Sequence, residues 1–151
     1  MEAQNIIETV QNIFIGADDK NWKLCLDAFA DIVLFDYSSM TGQEAACLDK
    51  EEIVEGWKAF LPKFKATHHQ LGNFMVNQHR NTAKISFYGT ASHYFPNPGG
   101  KNVWTVVGTY EAELLKEEVF WKVKCLRFNF KFADGNLQLP QMVEKERILS
   151  N

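Results

Sequence analysis

The sequence predicts an α+β fold in which three N-terminal helices pack on the concave face of a curved antiparallel sheet. Apolar residues recur at helical spacing over residues 3–17 and again after Asp49. From residue 66 they alternate with the two-residue period of strands, and short turns join long strand-like segments. A curved sheet covered by helices in this way can form a cone with an apolar cavity inside.

The predicted helices each have one apolar face. They cover residues 3–17, a short segment from Trp22 to Phe29, and a segment that begins at Asp49 and stops at Pro62. Glu52 lies three residues after Asp49, which is the spacing of a capping box. Between the second and third helices, the apolar run 32–37 predicts a strand and residues 38–48 predict a loop.

The remaining strands are predicted to form a meander. They cover about residues 67–77, 82–95, 103–116 and 119–132. The strand at 32–37 must join this sheet, because its apolar side chains need cover. The pattern weakens after residue 133, and residues 142–149 are either a short helix or a flexible end. Since the sequence has no internal repeat, residues 1–151 are predicted to form one domain.

Composition argues against several classes of function. The net charge is −3 and Lys and Arg are scattered among acids, so the sequence lacks the basic patch of a nucleic-acid-binding protein. No apolar run approaches the roughly 20 residues of a membrane span, and no signal peptide is visible. Three widely spaced cysteines favour a reducing compartment over a disulfide framework. We therefore expect a cytoplasmic protein.

Two histidines are the main candidates for chemistry. His93 falls in phase with the apolar residues of its strand, namely Ala83, Ile85, Phe87, Gly89 and Ala91. A histidine on such a face is either a satisfied core group or a proton-transfer group. His69 lies on the preceding strand, and Asp18 and Tyr37 complete the set. Asp18 is equally well interpreted as a helix cap, and Tyr37 as a core aromatic that points inward while Asp36 points outward.

Four segments in this order resemble the nuclear transport factor 2-like superfamily, and within it the SnoaL-like group that includes scytalone dehydratase. They are Ala17-Asp18-Asp19-Lys20-Asn21-Trp22, Phe35-Asp36-Tyr37-Ser38-Ser39, Thr67-His68-His69-Gln70-Leu71-Gly72-Asn73 and Ser92-His93-Tyr94. The resemblance covers about residues 10–132. It implies the cone-shaped fold and a cofactor-independent, metal-free lyase or isomerase acting on a small cyclic or aromatic carbonyl compound.

The resemblance also implies roles for individual residues. Asp18 matches an acid that orients a catalytic histidine, His93 matches that histidine, and His69 matches a second one in the active site. Tyr37 matches one of two tyrosines that polarise the substrate carbonyl through water, and Ala17 stands at the place of the other. The candidates for ligand binding are Asn73, Phe87, Trp57, Thr109 and Glu111.

These residue types suit elimination of water beside a carbonyl. The reaction needs a base for the α-proton, an acid for the leaving hydroxide and a donor for the enolate oxygen. The same groups would serve an isomerase or a cyclase, so the reaction type stays open. A protein that binds an apolar ligand without chemistry and an accessory subunit are the alternatives. A metal site is disfavoured, because the candidate ligands are far apart in the sequence.

The last two predicted strands carry apolar residues on both faces. On the last strand, one face is predicted to hold Phe120, Leu126, Phe128, Phe130 and Phe132. One face of the sheet can cover the cavity, and the other would be exposed unless something covers it. We expect a homodimer through the sheet. The alternative is a C-terminal tail folded over the same face.

Overall fold

The computed structural model describes residues 2–149, with the side chains of residues 2–146. Its helices are α1 (Ala3–Asp19), α2 (Trp22–Ala28), α3 (Ser38–Thr41), α4 (Lys50–Phe60) and α5 (Leu139–Leu149), with a 3₁₀ turn at Leu61–Lys63. Its strands are β1 (Phe29–Asp36), β2 (Ala46–Asp49), β3 (Ala66–His79), β4 (Thr82–Tyr94), β5 (Val103–Glu117) and β6 (Phe120–Gly135). The predicted α+β class, with a curved and unclosed sheet, is confirmed.

The six strands form one sheet in the order β2-β1-β6-β5-β4-β3. The meander from β3 to β6 is antiparallel, as predicted. The early strand β1 joins the sheet beside β6 in parallel orientation, starting with Phe29 opposite Val123. Segment 38–48, predicted as a loop, contains α3 and most of β2, which pairs antiparallel with β1. Asp49 precedes α4 as predicted, but its side chain makes no capping hydrogen bond.

The apolar stripe of α1 packs on the inner face of the sheet. Its buried apolar residues include Ile6, Val10, Ile13, Phe14 and Ala17. The matching face of β4 is buried at every second residue from Ala83 to His93, as the two-residue period predicts. Both faces belong to one apolar core, whose burial stabilises the domain.

Two bulges change the phase of β6. Lys124 is the extra residue between the pairs Leu114–Val123 and Glu113–Cys125, and Lys131 is the extra residue between the pairs Gly108–Phe130 and Val107–Phe132. Each bulge transfers the following side chains to the opposite face of the sheet. The prediction that the phenylalanines of β6 share one face with Leu126 is therefore wrong. Phe128 lines the interior, whereas Phe132 pairs with outward-facing Val107 and is 52% exposed.

The C-terminal segment forms a helix, which is one of the two predicted alternatives. Leu139 and Val143 of α5 pack against Phe64, beyond the 3₁₀ turn. Within the described chain, the tail thus lies at one end of the sheet and leaves its outer face uncovered. Tyr88 on that face is 51% exposed. None of the helices within residues 2–149 combines the length and the apolar character needed to cross a membrane.

Two glycines offer a matched test of the packing. A Cβ atom at Gly89 would lie 2.5 Å from Cε2 of Tyr110, whereas a Cβ at Gly56 in α4 would meet nothing within 4 Å. We expect Gly89→Ala to lower the free energy of unfolding by about 1–3 kcal/mol through overpacking. Gly56→Ala should raise it by about 0.5–1 kcal/mol, because alanine loses less backbone entropy in a helix. Urea unfolding followed by tryptophan fluorescence measures both, and equal stabilities for the two variants would contradict this packing.

Candidate functional site

A cavity of about 440 Å³ lies between the inner face of the sheet and the helices α1 and α4. Its wall is mainly aromatic, with Phe14, Phe35, Tyr37, Trp57, Phe60, Trp104, Tyr110 and Phe128. His69 and His93 also line it, and residues 40–44 form part of the wall outside the sheet. Among the described side chains, Glu44 is the only Asp, Glu, Lys or Arg in this wall. The cavity therefore suits an uncharged ring compound better than an anion.

Asp18, one residue before the end of α1, forms a hydrogen-bonded pair with His69 of β3. Its carboxylate accepts from Nδ1 of His69 at 2.8 Å and from the backbone N–H of His69 at 2.7 Å. A third hydrogen bond comes from Oγ1 of Thr67 at 2.9 Å. Because the carboxylate can only accept, Nδ1 of His69 carries the proton, and Nε2 remains as the potential base.

The carboxylate of Asp18 is held in its charged form. Burial alone would raise its pKa, but the hydrogen bonds and charge of His69 and the hydroxyl of Thr67 outweigh burial and lower the pKa. An ionised carboxylate at Nδ1 fixes the tautomer of a histidine and stabilises its imidazolium form. Asp18 and His69 thus form a dyad in which the carboxylate orients the imidazole and leaves its Nε2 able to accept a proton.

His93 lies in a different environment, although it lines the same cavity. The side chain is buried, and Nδ1 lies 3.0 Å from the carbonyl oxygen of Trp104. Its ring stacks on the indole of Trp104, with 4.2 Å between the ring centroids. Burial, and to a lesser extent the proximity of His69, lower the pKa of His93 to about 4. At neutral pH, His93 is therefore an uncharged imidazole.

The structure brings His69, and not His93, to Asp18, so the expected pairing of Asp18 with His93 is wrong. The end of α1 lies over β3, whose Thr67 and His69 share the inner face and supply all three donors. His93 lies on the next strand, opposite Thr67 in the register, and its ring centroid is 6.4 Å from that of His69. The one signal in the sequence was the Thr-x-His spacing, which places two donors on one face of a strand.

Tyr37 points into the cavity, and Asp36 points away to form an ion pair with Arg127 at 3.0 Å, as strand alternation predicts. Tyr110, which was not among the predicted site residues, also lines the cavity, and its hydroxyl interacts with that of Tyr37. Burial raises the pKa of both phenols. Both tyrosines therefore stay protonated, and because one hydroxyl donates to the other, the pair keeps one O–H free to donate to a ligand. The available signal in the sequence was that Tyr110 falls on the same face of its strand as Val106 and Gly108.

Of the predicted ligand-binding residues, Trp57 alone lines the cavity. Phe87 does not line it but is buried and stacks on Tyr110, with 5.1 Å between the centroids. Asn73, Thr109 and Glu111 line a shallow depression elsewhere on the sheet. The positive φ of 53° at Asn73 and the opposite phase of Thr109 and Glu111 to Tyr110 keep these three out of the cavity.

Cysteines and metal ligands do not contribute a second site. Cys25, Cys47 and Cys125 are free thiols. In the part of the chain that the structure describes, no three His, Cys, Asp or Glu side chains are arranged to hold a metal ion.

The SnoaL-like domain family matches residues 2–127. The chain belongs to this family, within the nuclear transport factor 2-like superfamily. No curated protein matches the sequence. A solved structure of a protein from Kribbella flavida has a similar fold, with 24% identity and a TM-score of 0.86 over 91% of this chain and 95% of the other.

Two other solved structures share the fold of this SnoaL-like chain. A candidate scytalone dehydratase from Novosphingobium aromaticivorans is 16% identical with a TM-score of 0.73, over 88% of this chain and 86% of the other. Hexachlorocyclohexane dehydrochlorinase from Novosphingobium barchaimii is 11% identical with a TM-score of 0.73, over 89% of each chain. At these identities the similarity establishes the fold alone.

The environment of His93 predicts an acid-sensitive stability. Its pKa falls from 6.5 to about 4 on folding, so below pH 6.5 the unfolded chain binds a proton that the folded chain does not. Stability should therefore decrease as the pH falls from 6.5 towards 4, with about 2 kcal/mol lost at pH 5. His93→Gln should remove this component from the free energy of unfolding measured in urea at pH 7 and pH 5. His79→Gln, at the exposed last residue of β3, should retain it, and an unchanged pH dependence in His93→Gln would contradict the assignment.

Proposed function

We propose that this SnoaL-like protein is a cofactor-independent lyase or isomerase that acts on a small cyclic or aromatic carbonyl compound. The observation that supports this proposal best is the Asp18–His69 dyad at the wall of an aromatic cavity. An ionised, partly buried carboxylate behind a histidine is a recurring device for proton transfer. The ring-lined wall, in which Glu44 is the one carboxylate among the described side chains, favours a neutral planar or cyclic substrate over a phosphate or carboxylate.

The proposed step begins with proton abstraction. Nε2 of His69 takes the proton α to the substrate carbonyl, and the electrons of that C–H bond form the C=C bond of an enolate. Asp18 stabilises the resulting imidazolium, and the hydrogen-bonded pair of Tyr37 and Tyr110 donates its one free O–H to the enolate oxygen. The imidazolium then protonates a leaving β-hydroxyl, which departs as water, or returns the proton to another carbon. The first outcome is an elimination and the second an isomerisation, and both are balanced by proton transfer alone.

The names of two structural neighbours are consistent with this chemistry. A dehydratase and a dehydrochlorinase are named for eliminations, the loss of water and of hydrogen chloride. Their identity to this chain is too low to transfer a substrate. A cyclase of the polyketide type would use the same base and the same oxygen donors.

A second candidate function is binding without chemistry. The observation that favours it is the proportion of aromatic rings in the cavity wall, which would hold a flat apolar ligand by stacking alone. In that case His69 and Asp18 would serve as a structural link between α1 and β3.

We also propose that the protein is a homodimer through the outer face of the sheet. Met75, Tyr88 and Phe132 are exposed there, and the described part of the tail packs elsewhere. A patch of this kind is typical of an interface between subunits. A cytoplasmic location is proposed in addition, since Cys25, Cys47 and Cys125 are unpaired, as in a reducing compartment.

Proton exchange provides a direct test of the dyad. In D₂O, the exchange of α-protons can be followed by NMR across a panel of hydroxylated cyclic ketones and polyketide-like aromatics. For any substrate that the protein accepts, His69→Ala and Asp18→Asn should lower the exchange rate by about 10²–10⁴, the usual range for a positioned acid–base group. His68→Ala is the matched control, because this neighbouring side chain points to the opposite face of β3 and is exposed. Unchanged exchange in His69→Ala would rule out the proposed base, and binding without exchange across the panel would favour the binding protein.

The dimer is tested by charge substitution on the outer face. Light scattering should give the mass of a dimer at micromolar concentration, and Phe132→Asp should give a monomer, because a carboxylate would be buried at the interface. Val119→Asp, at the 72% exposed residue in the turn before β6, is the control and should stay dimeric. A monomeric wild-type protein would contradict the proposal.

A further inference from the structure

We propose that His93 is a specificity-determining residue, an obligate hydrogen-bond acceptor that selects ligands carrying a hydroxyl or N–H donor. This inference rests on the proposed function, because it narrows the substrate class of the same cavity to neutral rings with both a donor and an acceptor. It assigns to His93 a role that differs from that of His69, although both histidines line one wall.

The tautomer of His93 is set by the backbone of the neighbouring strand. His93 and Trp104 face each other in the β4–β5 register, and Nδ1 of His93 lies 3.0 Å from the carbonyl oxygen of Trp104. A carbonyl oxygen only accepts, so Nδ1 must donate its proton there. The other ring nitrogen, Nε2, then holds a lone pair and no proton.

The orientation of the ring is fixed by packing. The imidazole packs against the ring of Trp104, at 4.2 Å between centroids, and against the ring of Phe64, at 5.0 Å, and these two rings contact each other at 6.1 Å. Phe64 is itself held by Leu139 and Val143 of α5. A flip of the ring by half a turn would put Cδ2 in the place of Nδ1 and break the hydrogen bond to the Trp104 carbonyl within this packed cluster.

The lone pair of Nε2 is available to a ligand. Across the side chains that the structure describes, no nitrogen or oxygen is both buried and without a hydrogen-bond partner. The hydrogen bond of the His93 ring is made by Nδ1, which leaves Nε2 without a partner in the described part of the protein. Nε2 must therefore be accessible, and we infer that it is reached from the cavity that His93 lines. A ligand that covers Nε2 without offering a donor leaves a desolvated acceptor, which reduces its affinity.

Two phenols in the wall supply the opposite polarity. Tyr37 and Tyr110 remain protonated, and the one O–H that their mutual hydrogen bond leaves free suits a carbonyl or ether oxygen on the ligand. His69 differs from His93 because its Nδ1 faces the carboxylate of Asp18, which stabilises a protonated ring. His93 has only a neutral carbonyl behind it, so it is suited to recognition and not to acid catalysis.

Calorimetric titration with two matched probes tests the inference without requiring turnover. The probes are 2-naphthol, which offers a hydroxyl donor, and 2-methoxynaphthalene, which offers none, with naphthalene as the reference for ring burial. At pH 7 the wild-type protein should bind 2-naphthol at least about tenfold more tightly than the methyl ether, as expected when a buried acceptor is left unpaired. His93→Phe should bring the two affinities to within about twofold of each other, through loss of the acceptor.

Two further variants complete the test. His93→Gln should keep the preference, because its amide can donate to the Trp104 carbonyl and present its own oxygen to the ligand. His69→Ala should also keep the preference while losing proton exchange, which separates recognition from catalysis. Equal binding of both probes by the wild type, or a preference that survives His93→Phe but disappears in His69→Ala, would overturn the inference. A preference that depends on His93, in a protein that exchanges no substrate proton, would uphold it while the proposed catalytic function failed.

Discussion

The carboxylate of Asp18 joins the end of α1 to the first strand of the meander, and the geometry of the cavity depends on this junction. Two of its three donors are side chains of the inner face of β3, and the third is the backbone of the same strand. The helix is thereby held over the sheet at one end, while its apolar stripe packs on the rest of the inner face. A partly buried carboxylate of this kind is tolerated because its oxygens find donors. A single side chain thus serves both the architecture and the orientation of His69.

The two histidines show how the surroundings assign different properties to the same residue type. His69 has an ionised carboxylate at Nδ1, and His93 has a peptide carbonyl and two aromatic rings. The first environment leaves Nε2 of His69 free to accept a proton from a ligand, and the second keeps the ring of His93 neutral. Their ring centroids are only 6.4 Å apart, so one ligand can meet both groups at once.

Local periodicity was sufficient to predict α1, α4, the four long strands and the inward face of β4, because each of these patterns is contained within one element. It could not predict the bulges at Lys124 and Lys131, since a bulge is a property of the register between two strands. The four-residue elements α3 and β2 are too short to show a period. The partner of Asp18 depended on which strand lies beneath the end of α1, and that is settled by tertiary packing. The same holds for the predicted ligand-binding residues, because tertiary packing brings Trp57 to the cavity and keeps Thr109 away from it.

The parallel pairing of β1 with β6 affects how the chain reaches its folded state. Residues 34–36 of β1 pair with residues 125–127 of β6, so the sheet cannot be completed until β6 has been synthesised. On the ribosome, β1 and β2 would remain without their neighbour while the antiparallel meander forms from contacts close in sequence. Closing so long a loop is entropically unfavourable and slows folding in proteins rich in nonlocal contacts. Because β6 is synthesised long after β1 and β2, the edge of β1 stays unpaired in the nascent chain, and we expect chaperones to bind this region until β6 is available.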